Sequence, residues 1–257
     1  MRRSEPGRHK FWSYLCADPL CCPAEGVPFD ALSHPAAAAL SAAGLTALRD
    51  RASLAHTLAP LPAVAGPMRR ATERAERRAR ALSSPAGRGG DDAAALLLDE
   101  SRRAVQEALG TYRSGGSICD YDVIAGLTVA LSDLRVRDDA WARMDAQAAA
   151  AHRRLWTDLV RHAIPRLVPA PAALLAFTAW QAGEGALASM AVERALAADP
   201  GYSMAVLLGE ALQAGLPPSA ARLPMTPEQV EASYATAGPA GSRPRSAAGR
   251  ASSRPAG

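Results

Sequence analysis

Apolar residues recur at helical spacing through most of the chain. The clearest stripe starts at Asp120, a good N-cap, and runs through Ile124, Leu127, Leu131 and Leu134 at steps of three and four. Asp138 or Asp139 is expected to cap the next helix. There Trp141, Met144, Ala148, Ala151, Leu155 and Leu159 form one stripe, with Trp156 and Val160 beside it. Pro165, Pro169 and Pro171 interrupt the chain, and three helices follow, over about 172–182, 185–198 and 203–214. Upstream, residues 35–43 open with a proline and stop at Gly44, and Asp50 caps a helix over 51–58 closed by Pro60. Residues 67–82 are strongly helix-forming, with Glu73 and Glu76 among six arginines. Asp91 or Asp92 starts a helix that runs to about Tyr112 and is broken by SGGS at 114–117. Strand-like alternation occurs only near the start. Residues 10–16 (KFWSYLC) read as a short strand, Asp18-Pro19 as a turn, and 27–29 as a returning strand.

This pattern predicts a mainly α protein: an antiparallel helical bundle with a short N-terminal β-hairpin. Residues 1–9 read as a disordered leader, and 10–82 as the hairpin with a small helical segment. Residues 83–90 (SSPAGRGG) read as a linker, and 91–233 as a helical domain with its core at 118–215. The end, 238–257, is low-complexity and reads as a disordered basic tail.

Composition changes this picture in two ways. There are 60 alanines among the 257 residues, nearly half of the hydrophobic total. Alanine favours helix but buries little area, so the core must rest on scattered larger side chains and on close helix approach. The net charge of +4 belongs to the ends: residues 11–237 alone carry 21 bases and 24 acids. A nucleic-acid interface normally carries its basic patch on the folded surface, so only weak association through the arginine-rich tail is expected. No run approaches the roughly 18 apolar residues of a membrane span, and MRRSEPGRHKFW has no apolar signal core. Four cysteines are too few for a disulfide scaffold, and a cytoplasmic location is expected.

Candidate chemistry is sparse. Cys16, Cys21 and Cys22, with Cys119 at a distance, are the candidate metal ligands, zinc being the metal such a thiolate set would take. The C-x2-C pair of most zinc sites is missing, so inert structural thiols and redox chemistry stay open beside it. Cys119 precedes a helix start and is also a candidate nucleophile, with His152 or His162 as the base. His152 and Trp156, one turn apart, read first as a packing face. Asp133, Arg135, Arg137, Asp138 and Asp139 form a dense mixed-charge connection, suited to capping and ion pairing or to an anion or partner contact. There is no P-loop, no GxGxxG after a strand, no HExxH and no GxSxG.

Residues 175–212 resemble one tetratricopeptide helical hairpin. Gly183, Ala188, Ala195 and Pro200 stand at that repeat's offsets, while Ala176 and Ala179 depart from it. Trp180, Glu184 and Arg194 are the candidate partner-binding residues on this hairpin.

Several segments in order are similar to the actinobacterial domain-of-unknown-function family 4192. They are Trp12-Ser13-Tyr14-Leu15-Cys16 with Asp18-Pro19 and Cys21-Cys22-Pro23, and Leu131-Ser132-Asp133 with Val136-Arg137-Asp138 and Trp141. His152 with Leu155-Trp156 follows, then Ala179-Trp180-Gln181, then Gly183 through Ala188, and Arg194-Ala195-Leu196 through Met204. The resemblance spans about 10–230 and carries no catalytic residues, because the family has no assigned activity. It implies a further N-terminal α/β portion ahead of the WSYLC segment, as a possible partner of this chain, and weak order in 1–30 without it. The functional expectation is a non-catalytic helical interaction or scaffold protein with a protein partner. The alternative is a metal- or thiol-dependent enzyme centred on Cys16, Cys21, Cys22 and Cys119.

Overall fold

The computed structural model describes residues 9–11, 18, 20, 23–29, 51–82, 90–220 and 226–236. Residues 1–8 of the expected leader, the helix over 35–43, most of the loop at 83–90, Cys16, Cys21, Cys22 and the basic tail lie outside the described residues, while His9, the last residue of the expected leader, stands in a strand. The chain divides into two compact units, 1–59 and 60–257. In the first, β1 (His9–Phe11) pairs antiparallel with β2 (Val27–Phe29), with Lys10 opposite Pro28. The first strand was expected over 10–16; it is described only at 9–11. A two-stranded sheet tolerates Pro28, which has no N–H to donate. Helix α1 (Arg51–Thr57) follows.

Among the described residues, the regular elements of the second unit are all helices. Its helices are α2 (Ala65–Leu82), α3 (Gly90–Arg113), α4 (Tyr121–Ala130), α5 (Leu134–Ala142) and α6 (Ala149–His162). Then come α7 (Pro169–Gln181), α8 (Gly185–Ala198), α9 (Ser203–Gln213) and α10 (Pro227–Thr236). A mainly α fold with a small N-terminal β element is what the apolar pattern predicts. Asp120 caps α4 as expected, its carboxylate accepting from the N–H of Asp122 at 2.8 Å. Ile124, Leu127 and Leu131 are buried.

Three boundaries differ from expectation, each for a local reason. Leu134 is half exposed, because the chain turns at 131–133 and Asp133, not Asp138 or Asp139, caps the next helix. The stripe from Trp141 to Leu159 is two helices: Asp145 accepts from the N–H of Ala148 and opens a new turn between α5 and α6. Pro165 and Pro169 do not merely interrupt. Each stands in a first turn, where a missing N–H costs nothing. Helix α2 groups with the second unit and packs on α4, because Met68, Ala71 and Thr72 make a buried stripe among its six arginines.

Helix α7 is the centre. Every residue from Pro169 to Trp180 is buried. Helices α6, α8 and α9 all pack against it. Its turn to α8 closes with Gly183 at φ 76°: Gly183 N–H donates to Trp180 and Glu184 N–H to Ala179. This is a Schellman ending, which needs the left-handed conformation glycine adopts freely. Ala188, Ala191 and Ala195 on α8 have no exposed surface, so the two helices approach as closely as methyl groups allow. Trp141 meets Phe177 edge-on at 5.3 Å and joins α5 to this centre.

Enlarging that interface tests the arrangement. Ala188→Leu should lower unfolding free energy by about 1–3 kcal/mol, because added methylenes find no space. The exposed neighbour Ala186→Leu should change it by less than about 0.5 kcal/mol. Urea unfolding of both variants measures the difference.

Candidate functional site

Helices α2, α3 and α4, with the start of α5, surround a half-open groove of about 1100 Å³. Its floor is apolar: Leu97, Leu98 and Ala108 from α3, with Val123 and Leu127 from α4. Charged pairs rim it. Arg74 of α2 meets Asp122 of α4, and Arg78 meets Glu100 of α3, both at 2.5 Å. These pairs are half exposed or more, so they set the local charge pattern rather than hold the fold.

One tyrosine positions the loop at the end of the groove. Tyr112 is buried near the end of α3 and donates its hydroxyl to Asp158 of α6 at 2.5 Å. The same oxygen accepts from the N–H of Ile118 at 3.4 Å. Burial, and then the neighbouring carboxylate, hold this phenol far above its usual range, so it stays a donor. Arg154 lies over the ring and donates to the tyrosine's own carbonyl. The loop so held carries Ser117, Ile118, Cys119 and Asp120 into the groove wall.

Of the proposed metal set, only Cys119 is described. It is exposed, with a free thiol. Among the described residues no three His, Cys, Asp or Glu side chains gather to hold a metal ion. The two candidate bases differ in their surroundings. His162 uses Nδ1 on the carbonyl of Asp158 and lies beside the Tyr121 ring. His152 is buried on α6 beside Trp156.

The expected partner residues are not gathered on one exposed face. Trp180 is buried and donates its indole N–H to the carbonyl of Leu216 at 3.2 Å. Glu184 is an internal partner: it accepts from Arg153 and ties α6 to the α7–α8 turn. Arg194 is half-buried, and its Nε makes no hydrogen bond. The mixed-charge stretch is paired within the fold, with Arg137 and Asp139 buried and Asp133 and Arg135 partly exposed. Asp133 binds Arg135, and Asp139 binds Arg143. Asp138 binds Arg137, whose guanidinium also donates to the Tyr202 hydroxyl.

The spacing missed one feature. Helix α10 has a capping box: Thr226 Oγ1 accepts from Gln229 N–H while Gln229 Oε1 accepts from Thr226 N–H. The signal was present as T-P-E-Q, with proline at the first helical position.

These features define a helical protein with an alanine-packed centre and a lateral groove. Residues 4–219 match the family described as Domain of unknown function (DUF4192), and the chain belongs to that family. No curated protein and no solved structure matches it. Among the described residues, no helix is long and apolar enough to cross a membrane.

His152 makes stability depend on pH. Both ring nitrogens are buried without a hydrogen bond. Burial, helped by the positive charge of Arg113, lowers its pKa to about 4 from an ordinary 6.5. Below pH 6.5 the unfolded chain takes up a proton that the folded chain refuses, so stability falls as pH falls. The loss should reach about 2 kcal/mol at pH 5 and level off below pH 4. Urea unfolding at pH 7 and pH 5 measures it, and His152→Phe should remove this part of the difference.

Proposed function

We propose that this chain is a non-catalytic helical interaction protein, and that the α2–α3–α4 groove is its partner surface. The observation that supports this reading is the groove itself, with its apolar floor and charged rim. An amphipathic helix or extended segment laid into such a groove buries its apolar face and meets paired charges at the edges. The groove is at the upper end of the volumes that enclose a small ligand, and it is half open, which suits a longer occupant. The hairpin residues Trp180 and Glu184 support the interaction indirectly, by holding α7 and α6 in place.

The thiol-dependent alternative rests on one observation, the free thiol of Cys119 in the groove wall. A nucleophilic thiol also needs a base, and His162, beside the Tyr121 ring two residues from Cys119, is the candidate this reading would use. The metal-dependent form of that alternative would need Cys16, Cys21 and Cys22 to gather with Cys119.

A photo-crosslinking residue at Val123, which is half exposed in the groove, tests the first reading against one at Leu207, exposed on α9. The expected outcome, in source-cell extract, is a single dominant adduct from position 123 and none from 207. A charge placed on the apolar floor, Leu97→Asp, should reduce that adduct at least tenfold, while Cys119→Ser should leave it unchanged. Equal labelling from both positions would count against the groove, and loss on Cys119→Ser would favour the thiol reading.

A further inference from the structure

Helix α10 begins after residue 219, where the family match ends. It sits on the second unit much as a bound peptide would. It packs along α5 and reaches α3. Three side chains one turn or less apart make the contact. Val230 is buried, Glu231 accepts from Arg102 of α3 at 3.1 Å, and Tyr234 donates to Asp138 of α5 at 2.5 Å. Arg143, held first by Asp139, lies within electrostatic reach of Glu228 and Glu231. The receiving face is mixed in charge: Arg102 and Arg143 lie toward the acids of α10, and Asp138 takes the tyrosine hydroxyl.

Two features mark this contact as separable. The helix carries its own capping box, so its start does not depend on the face it covers. Its fit is also incomplete. The Arg102 side chain is nine-tenths buried, yet Glu231 meets only one terminal nitrogen, and Nε makes no hydrogen bond. A carboxylate meeting the Nε edge would make the paired contact that arginine favours.

We propose that the α3–α5 face around Arg102 and Asp138 is a docking surface for a short acidic helix with an apolar residue, an acid and a tyrosine at successive helical steps. Helix α10 fills it as an internal, releasable ligand. A ten-residue helix has little stability alone, so tethering supplies most of the apparent affinity. A partner helix of the same pattern that grips both edges of Arg102 displaces it.

The test uses the full chain and a fluorescent peptide of residues 226–236 (TPEQVEASYAT). Val230→Asp with Glu231→Lys should release α10. The peptide should then bind that variant at least tenfold more tightly than it binds the unaltered chain, and Arg102→Gln should abolish the gain. Equal binding to both chains, or binding to neither, overturns the proposal. Hydrogen exchange on the unaltered chain is the second measurement, and it stands if the variant fails to fold. Amides of α10 should exchange together and at least a hundredfold faster than those of α7. Exchange of both helices at one rate would make α10 part of the core and overturn the proposal. So would a concentration-dependent dimer that protects α10, since that would place the helix on a second copy.

Discussion

A helix surrounded on all sides must be apolar all round, and small wherever a neighbouring backbone comes close, and much of the second unit follows from that constraint on α7. From Pro169 to Trp180 it is buried throughout, with alanine at 170, 172, 173, 176 and 179. Alanine gives little area to the hydrophobic effect but lets neighbouring backbones come close, where many weak dispersion contacts add up. Helices α6, α8 and α9 pack on it, and the larger side chains they need, Leu155, Trp156, Leu159, Met204 and Leu208, are all buried. A chain with 60 alanines builds a dense centre in this way without many aromatic residues.

Around that centre, polar contacts position the outer helices. Tyr112 joins α3, the Cys119 loop and α6 through one hydroxyl, and Glu184 joins α6 to the α7–α8 turn. Arg137 reaches from α5 to Tyr202, just before α9. Each of these groups is partly or wholly buried, so losing one partner would strand the other in a poorly solvating environment. At the groove, α2 packs on α4 through the buried stripe of Met68, Ala71 and Thr72, and exposed ion pairs join α2 to α4 and to α3 along the rim.

The helices were legible because their signals are local. Asp120 before an apolar stripe, Gly183 between two stripes and prolines in first turns act through neighbouring backbone groups. What misled was also local in form. Asp138 and Asp139 look like caps, yet Asp138 answers Arg137 and Tyr234, and Asp139 answers Arg143. The stripe through Trp141 and Leu159 has helical period, yet Asp145 breaks it with one hydrogen bond. Trp180 and Glu184 looked like a presented face because a conspicuous aromatic and an acid stood near a turn. Burial of the first and pairing of the second depend on Leu216 and Arg153, which are remote in the chain.

The groove had no signature along the chain, since its walls come from four helices and a loop whose arrangement no spacing encodes. The sequence by itself determined the helical content, most helix starts and stops, the family, and the need for close packing around alanine. Those follow from hydrogen-bond geometry within a few residues and from side-chain size. The tertiary structure alone decided which charges are internal, that the Cys119 thiol lies in a groove wall, and that α10 seats on α3 and α5. Each of these depends on contacts between residues tens of positions apart, where burial rather than residue type sets what a side chain can do.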